Sequence, residues 1–388
     1  MLVKIFAIIM LVLGIAVAAG ANSDTGKFIP EAIGTIETLP EEYPDHWVMV
    51  HDFSFFHMLE GKVLVVDPLA ADVGGQYKGM MTASFTAAYT RSAKRREHYV
   101  VETFFSRGGR GGKRTDVVTI WDPASLKVIS EIEIPAKRLT GMPKATMLGL
   151  IGDDRFLGVY NFTPGQSISI IDLEKREFVA EVPTPGCGFI LPNGKHSFTS
   201  ICSNGSMLTS HLDTTGQLKD ARKTEILFDP QDDPIFEAAA ITDSVAYFPT
   251  FKGNVLPLDI SGEDVKAGEF WSLTSTDEKN WRPGGIRPAI TDAQGVGYFL
   301  MHPHGAEGTH KDGGSEVWLY DLAEGKRINR VELANWGMTL GTSGTGDGRL
   351  LFVTNDALGV DVYRLPDVEF VHTLAVGAGT PFMMHSAQ

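Results

Sequence analysis

The chain has 388 residues, of which 43% are hydrophobic and 21% charged, a composition that is ordinary for a globular protein with a sizeable core. Its formal net charge is -14 and no long basic tract offsets it, which argues against nucleic acid as a partner because phosphate contacts need clustered Lys and Arg. The 42 Gly and 20 Pro residues favour many short strands joined by turns.

Residues 1–21 have the pattern of a secretory signal peptide. Lys4 supplies the positive charge, and an apolar segment runs from Ile5 to Val17. The small residues Ala19, Gly20 and Ala21 fit a cleavage site, with Ala18 or Ala21 as the last residue removed. The apolar segment is short for a membrane span, and an uncleaved anchor is the alternative. We therefore expect a soluble, exported protein.

Residues 22–44 are polar and rich in Pro, which predicts an extended N-terminal arm. Over residues 45–388 one unit recurs, made of an alternating strand, an Asp, a polar turn and a second strand. The seven copies are Val63–Asp67, Val118–Asp122, Ile168–Asp172, Met207–Asp213, Asn254–Asp259, Val317–Asp321 and Val360–Arg364, the last with Arg in place of Asp.

Further strand patterns lie between these copies, so each repeat predicts a four-stranded sheet that must bury its faces against its neighbours. We predict an all-β fold, a seven-bladed β-propeller with four-stranded antiparallel blades. The strand at Trp47–Asp52 is expected to close the ring by joining the last blade. The recurring Asp residues are interpreted as turn residues whose carboxylates accept backbone N–H groups, and not as catalytic pairs.

Export to an oxidising compartment favours pairing of the two cysteines, Cys187 and Cys202. In a hairpin centred on Gly194 and Lys195 the two residues lie opposite each other on neighbouring strands. This arrangement predicts a disulfide, worth roughly 3 kcal/mol through loop closure. Two free buried thiols are the alternative.

Two loops carry side chains that could bind a ligand. His302, His304, Glu307 and His310 could bind a metal, but their spacing matches no strict ligand pattern, and a structured surface or interface loop is favoured. The segment Arg107–Arg114 mixes glycines with basic residues, as phosphate-binding loops do, but a strand rather than a helix follows it. Its arginines are therefore expected to pair with carboxylates of a neighbouring blade or of a partner chain.

No Gly-x-Ser-x-Gly motif is present, and Ser, His and Asp are too scattered to nominate a triad. We therefore expect no catalytic residue and no metal in this chain. A propeller of this kind commonly serves as a platform for another protein.

Several stretches resemble the heavy subunit of the quinoprotein amine dehydrogenases, the methylamine and aromatic amine dehydrogenases. They are Phe105–Asp116 leading to Asp122, Asp232–Phe236, Trp281–Gly285, Phe299–Pro303 and Glu307–Lys311, together with the cysteine pair. The segments from Asp232 onward are more similar to the aromatic amine dehydrogenases than to the methylamine dehydrogenases. The resemblance runs from about Tyr77 to the C-terminus.

The resemblance implies a periplasmic subunit without a cofactor of its own. Its partner would be a small, disulfide-rich light subunit carrying tryptophan tryptophylquinone, typically in a complex of two heavy and two light chains. That complex would convert a primary amine to aldehyde and ammonia and pass electrons to a small copper protein or a cytochrome. None of the six Trp residues of this chain is expected to form the quinone.

Phe85 matches the position from which a family Phe faces the substrate channel, with plain core packing as the alternative. The residues expected at the light-chain interface or in structural loops are Arg107, Arg110, Arg114, Asp116 and His310. Two other functions stay open. One is a free-standing secreted propeller that binds ligands or proteins, and the other is a propeller hydrolase such as a lactonase, which would need metal-binding carboxylates at the central channel.

Overall fold

The computed structural model describes residues 38–58 and 60–387. The predicted signal peptide and most of the predicted arm lie outside the described residues. From Thr38 onward the chain forms one compact unit. In the described part of the chain, no helix is long and apolar enough to cross a membrane. The described end of the arm packs on the strands, because Leu39 donates its N–H to Ala124 at 2.8 Å and Tyr43 is buried.

Sheets of antiparallel strands account for nearly all of the regular structure. The first sheet contains β1 (Val48–Asp52), β2 (Glu60–Val66) and β3 (Tyr77–Ser84), with a single short helix, α1 (Val73–Gln76), between β2 and β3. The second contains β4 (Ala88–Ser92), β5 (Glu97–Phe105), β6 (Arg114–Trp121) and β7 (Val128–Ile134). The third contains β8 (Leu148–Ile151), β9 (Phe156–Asn161), β10 (Ser167–Asp172) and β11 (Glu177–Pro183).

The next sheets follow in chain order. The fourth contains β12 (Cys187–Asn193), β13 (Ser197–Cys202), β14 (Met207–Leu212) and β15 (Leu218–Lys223). The fifth contains β16 (Ala240–Ile241), β17 (Val245–Pro249), β18 (Asn254–Asp259), β19 (Lys266–Ala267) and β20 (Trp271–Ser272).

The sixth sheet has eight strands. They are β21 (Arg282–Pro283), β22 (Ala289–Thr291), β23 (Val296–His302), β24 (Gly314–Asp321), β25 (Lys326–Ser343), β26 (Leu350–Asn355), β27 (Val360–Arg364) and β28 (Glu369–Leu374). Single 3-10 turns occur at Ala145–Met147, Thr276–Glu278, Thr309–Lys311 and Gly346–Gly348.

The last strand, β29 (Pro381–Ser386), completes the first sheet by pairing with β1, and Val48 lies opposite Ser386. The expected pairing between the two ends of the fold is therefore present. The sheet that is completed differs from the prediction. The C-terminal strand completes the first sheet, whereas we expected the N-terminal strand to complete the last. This pairing ties the two ends of the folded unit together.

The structure confirms an all-β propeller, but the predicted seven four-stranded blades are wrong. Hydrogen bonding defines five small sheets, four with four strands and one with five, and a larger sheet of eight strands. The reason is β25, an 18-residue strand that pairs with β24 along its first part and with β26 along its second. The number of strand-and-Asp units gives the number of strand pairs. It does not show whether the strand that follows one unit ends before the next unit or continues into it, as β25 does.

The core lies between the sheets. The central strands bury side chains on both faces, as the run Val63 to Val66 in β2 shows, because a sheet packs against a neighbour on each side. The largest fully buried side chains include Trp318, Tyr99 and Tyr298. Burial on both sides explains why these strands are apolar runs more often than strict alternations.

The recurring Asp residues are turn residues, as predicted. Asp122 accepts the N–H of Ser125 at 2.7 Å, and Asp213 accepts the N–H of Thr215 at 2.7 Å. The same bond closes the turns after four other copies, at Asp67, Asp172, Asp259 and Asp321. These carboxylates therefore hold the scaffold together.

Candidate functional site

The predicted site residues lie in connections at one end of the strands. In a chain of antiparallel strands, successive connections alternate between the two ends. The β1–β2, β3–β4, β5–β6, β7–β8, β17–β18 and β23–β24 connections therefore share one end, which we call the loop face. Contacts between them agree with this, since Arg138 of the β7–β8 connection reaches Thr86 of the β3–β4 turn, and Phe251 stacks on His310.

A cleft of about 760 Å³ opens where the first and second sheets meet. Phe85, Phe104 and Arg110 line it, together with the carboxylates of Glu60 and Glu131. The structure thus brings the predicted channel residue and one predicted loop arginine into the same cleft. The cleft combines an aromatic wall with charged groups of both signs, in which acidic residues outnumber the one arginine, and this suits a small cation with an apolar part.

Phe85 lies in a tight turn between β3 and β4. The N–H of Ala87 donates to the Ser84 carbonyl at 3.0 Å, and Thr86 adopts a φ of 62°, a left-handed conformation that is uncommon for a residue other than Gly. Phe85 itself is half-buried. Its ring therefore belongs neither to the closed core nor to open solvent, but to the cleft wall.

Two buried charged residues hold this turn in place through hydrogen bonds to its backbone. Glu102 accepts the N–H of Ser84 at 2.8 Å and the hydroxyl of Thr119, and burial raises its pKa. Arg138 donates to the Thr86 carbonyl at 2.9 Å and to the Thr103 hydroxyl at 2.7 Å, and burial lowers its pKa to about 10. Side chains held in this way pre-organise the position of Phe85.

Sequence reasoning missed both Glu102 and Arg138. The signal for Glu102 was a carboxylate in the apolar run Tyr99 to Phe105, since an unpaired charge does not survive burial. Arg138 had no signal, because its connection carries no repeat pattern and its partners are distant in sequence.

The predicted set in the Arg/Gly segment divides into two groups. Arg114 makes a two-point ion pair with buried Asp116, with Nε to Oδ1 at 2.8 Å and Nη2 to Oδ2 at 2.7 Å, and Asp116 also accepts the N–H of Arg138 at 3.1 Å. Arg107 and Arg110 are exposed on the loop, and no carboxylate of the described residues lies within ion-pair distance of either. The first pair is structural, and the second is available to another molecule.

The loop tip is shaped by two backbone bonds, from Ser106 to Lys113 at 3.0 Å and from Arg107 to Gly111 at 2.8 Å. Gly108 and Gly112 have φ angles of 74° and 84°, which residues with a Cβ rarely adopt. The glycines therefore serve the bend of the loop, as a hairpin between β5 and β6 requires.

His310 lies in the β23–β24 connection, where its ring stacks on Phe251 with centroids 4.5 Å apart. Burial and the neighbouring Lys311 lower its pKa, which favours the neutral ring. Lys144, paired with Glu237, stands close by, and burial lowers the pKa of Lys144 to about 8. Within residues 38–58 and 60–387, no group of three or more His, Cys, Asp or Glu side chains is arranged to hold a metal ion.

An exposed aromatic loop adjoins the cleft and was not singled out from the sequence. Phe55, Phe56 and Met58 in the β1–β2 connection are 43%, 72% and 59% exposed. Asp52 anchors the loop by accepting the N–H groups of Ser54, Gly379 and Thr380 at 2.7–2.9 Å. Although burial opposes ionisation of Asp52, these bonds lower its pKa. Two consecutive Phe residues after a strand end were the signal that could have revealed this loop.

Cys187 and Cys202 form a disulfide between the facing ends of β12 and β13. Two Trp residues, Trp281 and Trp318, lie next to each other with ring centroids 5.3 Å apart. They belong to the sixth-sheet region and are covered by Arg330, whereas the disulfide is in the fourth sheet. This Trp pair thus lacks the disulfide-rich setting expected of a tryptophan-derived quinone.

The sequence was compared with known families and proteins. Residues 45–356 match the family described as methylamine dehydrogenase heavy chain (MADH). The methylamine dehydrogenase heavy chain of Methylobacillus flagellatus is 30% identical over 238 residues, which are 60% of this chain and 59% of that protein. The matched part thus spans less than two thirds of that relative. The corresponding heavy chain of Methylorubrum extorquens is 26% identical over 305 residues, 77% of this chain and 70% of that protein.

A solved structure with the same overall fold is the periplasmic gluconolactonase of Pseudomonas aeruginosa. It superposes with a TM-score of 0.58 at 16% identity, covering 88% of this chain and 98% of that one. At this identity the likeness concerns the fold alone.

Proposed function

This chain belongs to the methylamine dehydrogenase heavy chain family, and on that basis we propose that it is the large subunit of a periplasmic amine dehydrogenase. The complex converts a primary amine to aldehyde and ammonia. The chain holds a small light subunit and shapes the channel through which the amine enters. The observation that carries the proposal is the family match over residues 45–356, and the loop face supports it.

The loop face is the proposed docking surface for the light subunit. Phe55, Phe56 and Met58 expose apolar surface there, and aromatic side chains are enriched at the energetic centre of protein interfaces. Arg107 and Arg110 add two unpaired guanidinium groups, which suit carboxylates of a partner. Apolar anchors and free cations on one surface are the features expected of a partner-binding face.

The cleft beside Phe85 is the proposed substrate channel. A primary amine is a cation at neutral pH, and the carboxylates of Glu60 and Glu131 in the cleft would attract it. The Phe85 ring would contact the carbon chain of the amine and exclude water from it. Glu102 and Arg138 hold the turn that carries Phe85, and we assign them a positioning role.

The light subunit would supply tryptophan tryptophylquinone, which accepts the electrons of the amine and delivers them to a small copper protein or a cytochrome. The Trp281 and Trp318 pair of this chain does not fit such a group, because Trp318 is fully buried and the pair lies apart from the disulfide. The proposed share of this chain is therefore docking and substrate selection.

The first experiment is purification of the tagged full chain from the native periplasm, with a visible spectrum recorded before and after addition of methylamine or phenylethylamine. We expect a small disulfide-rich chain to copurify and its absorption to bleach with an amine. The full chain produced without that partner should be colourless and inactive. Amine oxidation by the isolated chain would overturn the proposal, and a chain that copurifies with no small subunit would favour a free-standing binding propeller.

A second experiment tests the channel. Phe85→Ala in the complex should change the ratio of kcat/KM for phenylethylamine and methylamine by about tenfold, since apolar contacts discriminate by roughly 1–3 kcal/mol. Phe270→Ala, at an exposed aromatic residue between β19 and β20, is the matched control and should leave the ratio unchanged. Equal loss for both amines would indicate a purely structural role for Phe85.

A further inference from the structure

The central channel of the propeller contains a second cavity, of about 310 Å³, which shares no lining residue with the Phe85 cleft. Its walls come from β4, β16, β22, the second part of β25, and β29. Strands β4, β16 and β29 lie at the edges of their sheets, and β22 pairs only with β23. Edge strands of several sheets meet at the axis of a propeller, which places this cavity in the central channel.

Two arginines face this cavity without an acidic partner. Arg91 has its Nε and Nη1 atoms buried with no hydrogen-bond acceptor, and its guanidinium lies 5.0 Å from the centre of the Tyr43 ring. Arg287 donates one bond, from Nη1 to the Met384 carbonyl at 3.1 Å. None of the eleven residues that line the cavity is acidic.

A third donor stands beside them. His385 has its Nε2 atom buried without a partner, and burial together with His51 and Arg287 lowers its pKa well below the usual range. The ring is therefore neutral at pH 7 and carries one N–H. Two of the wall hydroxyls are already used, since Thr342 donates to the Thr291 carbonyl at 2.7 Å and Thr291 donates to the Ile241 carbonyl at 2.5 Å. Arginine and imidazole nitrogens are thus the nitrogen donors that the cavity offers to a ligand.

This arrangement is unusual for a protein with a formal net charge of -14. Arg91 and Arg287 are each only partly exposed, and arginines largely withdrawn from water are normally paired with carboxylates. Desolvation lowers the pKa of Arg91 and brings that of Arg287 to about 10, at which Arg287 stays charged at pH 7. Two partly exposed cations beside a cavity with no acidic lining residue favour the binding of an anion there.

We propose that the central channel binds a small oxyanion, of the phosphate or sulfate class, through Arg91, Arg287 and His385. A guanidinium presents parallel N–H groups that match two oxygens of such an anion. The cavity holds an oxyanion with several waters, since one water occupies about 30 Å³. Bound at the axis, where edge strands of several sheets meet, the anion stabilises the ring. The site does not depend on the proposed amine chemistry.

The test uses the full chain, with its small subunit if one copurifies. Thermal unfolding is followed at constant ionic strength while sodium chloride is replaced by sodium phosphate, sodium sulfate or sodium acetate. We expect phosphate or sulfate to raise the midpoint by at least about 2 °C, because a ligand that binds only the folded state stabilises it. Acetate at the same ionic strength shows whether a carboxylate also fits. Equal midpoints in all four salts would overturn the proposal.

Variants locate the effect. Arg287→Met and Arg91→Met should weaken phosphate binding in calorimetry by about tenfold or more, the loss expected for one charge-assisted hydrogen bond. Arg364→Met makes the same change at an exposed arginine of β27 and should bind phosphate as the unmodified chain does. A phosphate response that persists in both channel variants would assign the anion to another place and refute the site.

If a Met variant does not fold, Arg287→Lys and Arg91→Lys keep the positive charge but lose the two-point geometry. They should fold, as circular dichroism would show, and should bind phosphate more weakly than the unmodified chain. Unchanged binding in both Lys variants would contradict a guanidinium-specific site.

Discussion

The loop face and the opposite end of the strands differ in how their connections satisfy polar groups. At the opposite end, which we call the Asp face, the turn after each of the first six repeats is closed by its own Asp, as at Asp122 and Asp259. At the loop face, connections are held by distant residues, as the Phe85 turn is by Glu102 and Arg138. At the Asp face, the local bonds occupy the polar groups of the turns. At the loop face, residues distant in sequence hold the connections, so the side chains of these connections remain available to contact another molecule.

Charge and exposure show the same contrast. The loop face exposes Phe55, Phe56, Arg107 and Arg110 beside a cleft, while the carboxylates of the Asp face are occupied by backbone N–H groups. The lesson is that repeated residues mark the scaffold, and residues that occur once mark the candidate site. Four changes would break or sharpen this contrast.

The largest effect is expected from Arg138→Met. The change removes donors to the Thr86 carbonyl and the Thr103 hydroxyl in a buried place, so the free energy of unfolding should fall by about 3 kcal/mol. Urea denaturation measures it. Arg110→Met, on the same face but exposed, should stay within about 0.5 kcal/mol. Similar losses in the two variants would contradict the division into supporting and exposed arginines.

Replacement of both cysteines, Cys187→Ser with Cys202→Ser, should lower the free energy of unfolding by roughly 3 kcal/mol. The disulfide joins the end of β13 to the start of β12 and closes a loop between residues 15 apart in sequence. Chemical denaturation of the unmodified chain with and without a reductant gives the same comparison. No change on reduction would show that the bond is not formed in the isolated protein.

Phe56→Ala should leave folding nearly unchanged, because the side chain is 72% exposed. Binding of the small subunit should weaken by at least about tenfold, as expected when an aromatic anchor is lost at an interface. Surface plasmon resonance measures the dissociation constant. Phe270→Ala, in the connection between β19 and β20, is the matched control, and equal weakening by both variants would argue against docking through the loop face.

The smallest effect is expected from Asp122→Ala on the Asp face, at about 0.5–1 kcal/mol of unfolding free energy, since this carboxylate is partly exposed. Bonds from the Ser125 hydroxyl and N–H lower the pKa of Asp122 below its ordinary 3.8. Its contribution is therefore present above about pH 4 and disappears as the pH falls through the folded-state pKa. Urea denaturation at pH 7 and pH 3 should show the difference between variant and parent shrinking in acid.

Much of the fold could be predicted from the sequence. Alternating apolar runs ending in Asp, such as Ile168–Asp172, identify strands and their turns because both signals are local. The cysteine pair was also predictable, since a hairpin centred between two cysteines sets them opposite each other. The number of blades was not, because the continuity of β25 depends on pairing with β24 and β26 together.

The candidate site was predictable only in part. A resemblance pointed to Phe85 and to the Arg107–Arg114 segment, and the structure sets Phe85 and Arg110 in one cleft. Only the structure distinguishes the roles of Arg114 and Arg110, because Arg114 pairs with Asp116 whereas Arg110 is exposed.

By itself, the sequence determined the strand-and-turn unit, the all-β class and the family, because periodicity, turn residues and motifs involve only residues that are close together in the sequence. Only the tertiary structure decided which side chains meet: Glu102 and Arg138 beneath the Phe85 turn, Phe55 and Phe56 beside the cleft, and Arg91 and Arg287 at the axis. The residues brought together in this way lie up to about two hundred positions apart, as Arg91 and Arg287 do. Their geometry depends on how the sheets close into a ring, which no local pattern records.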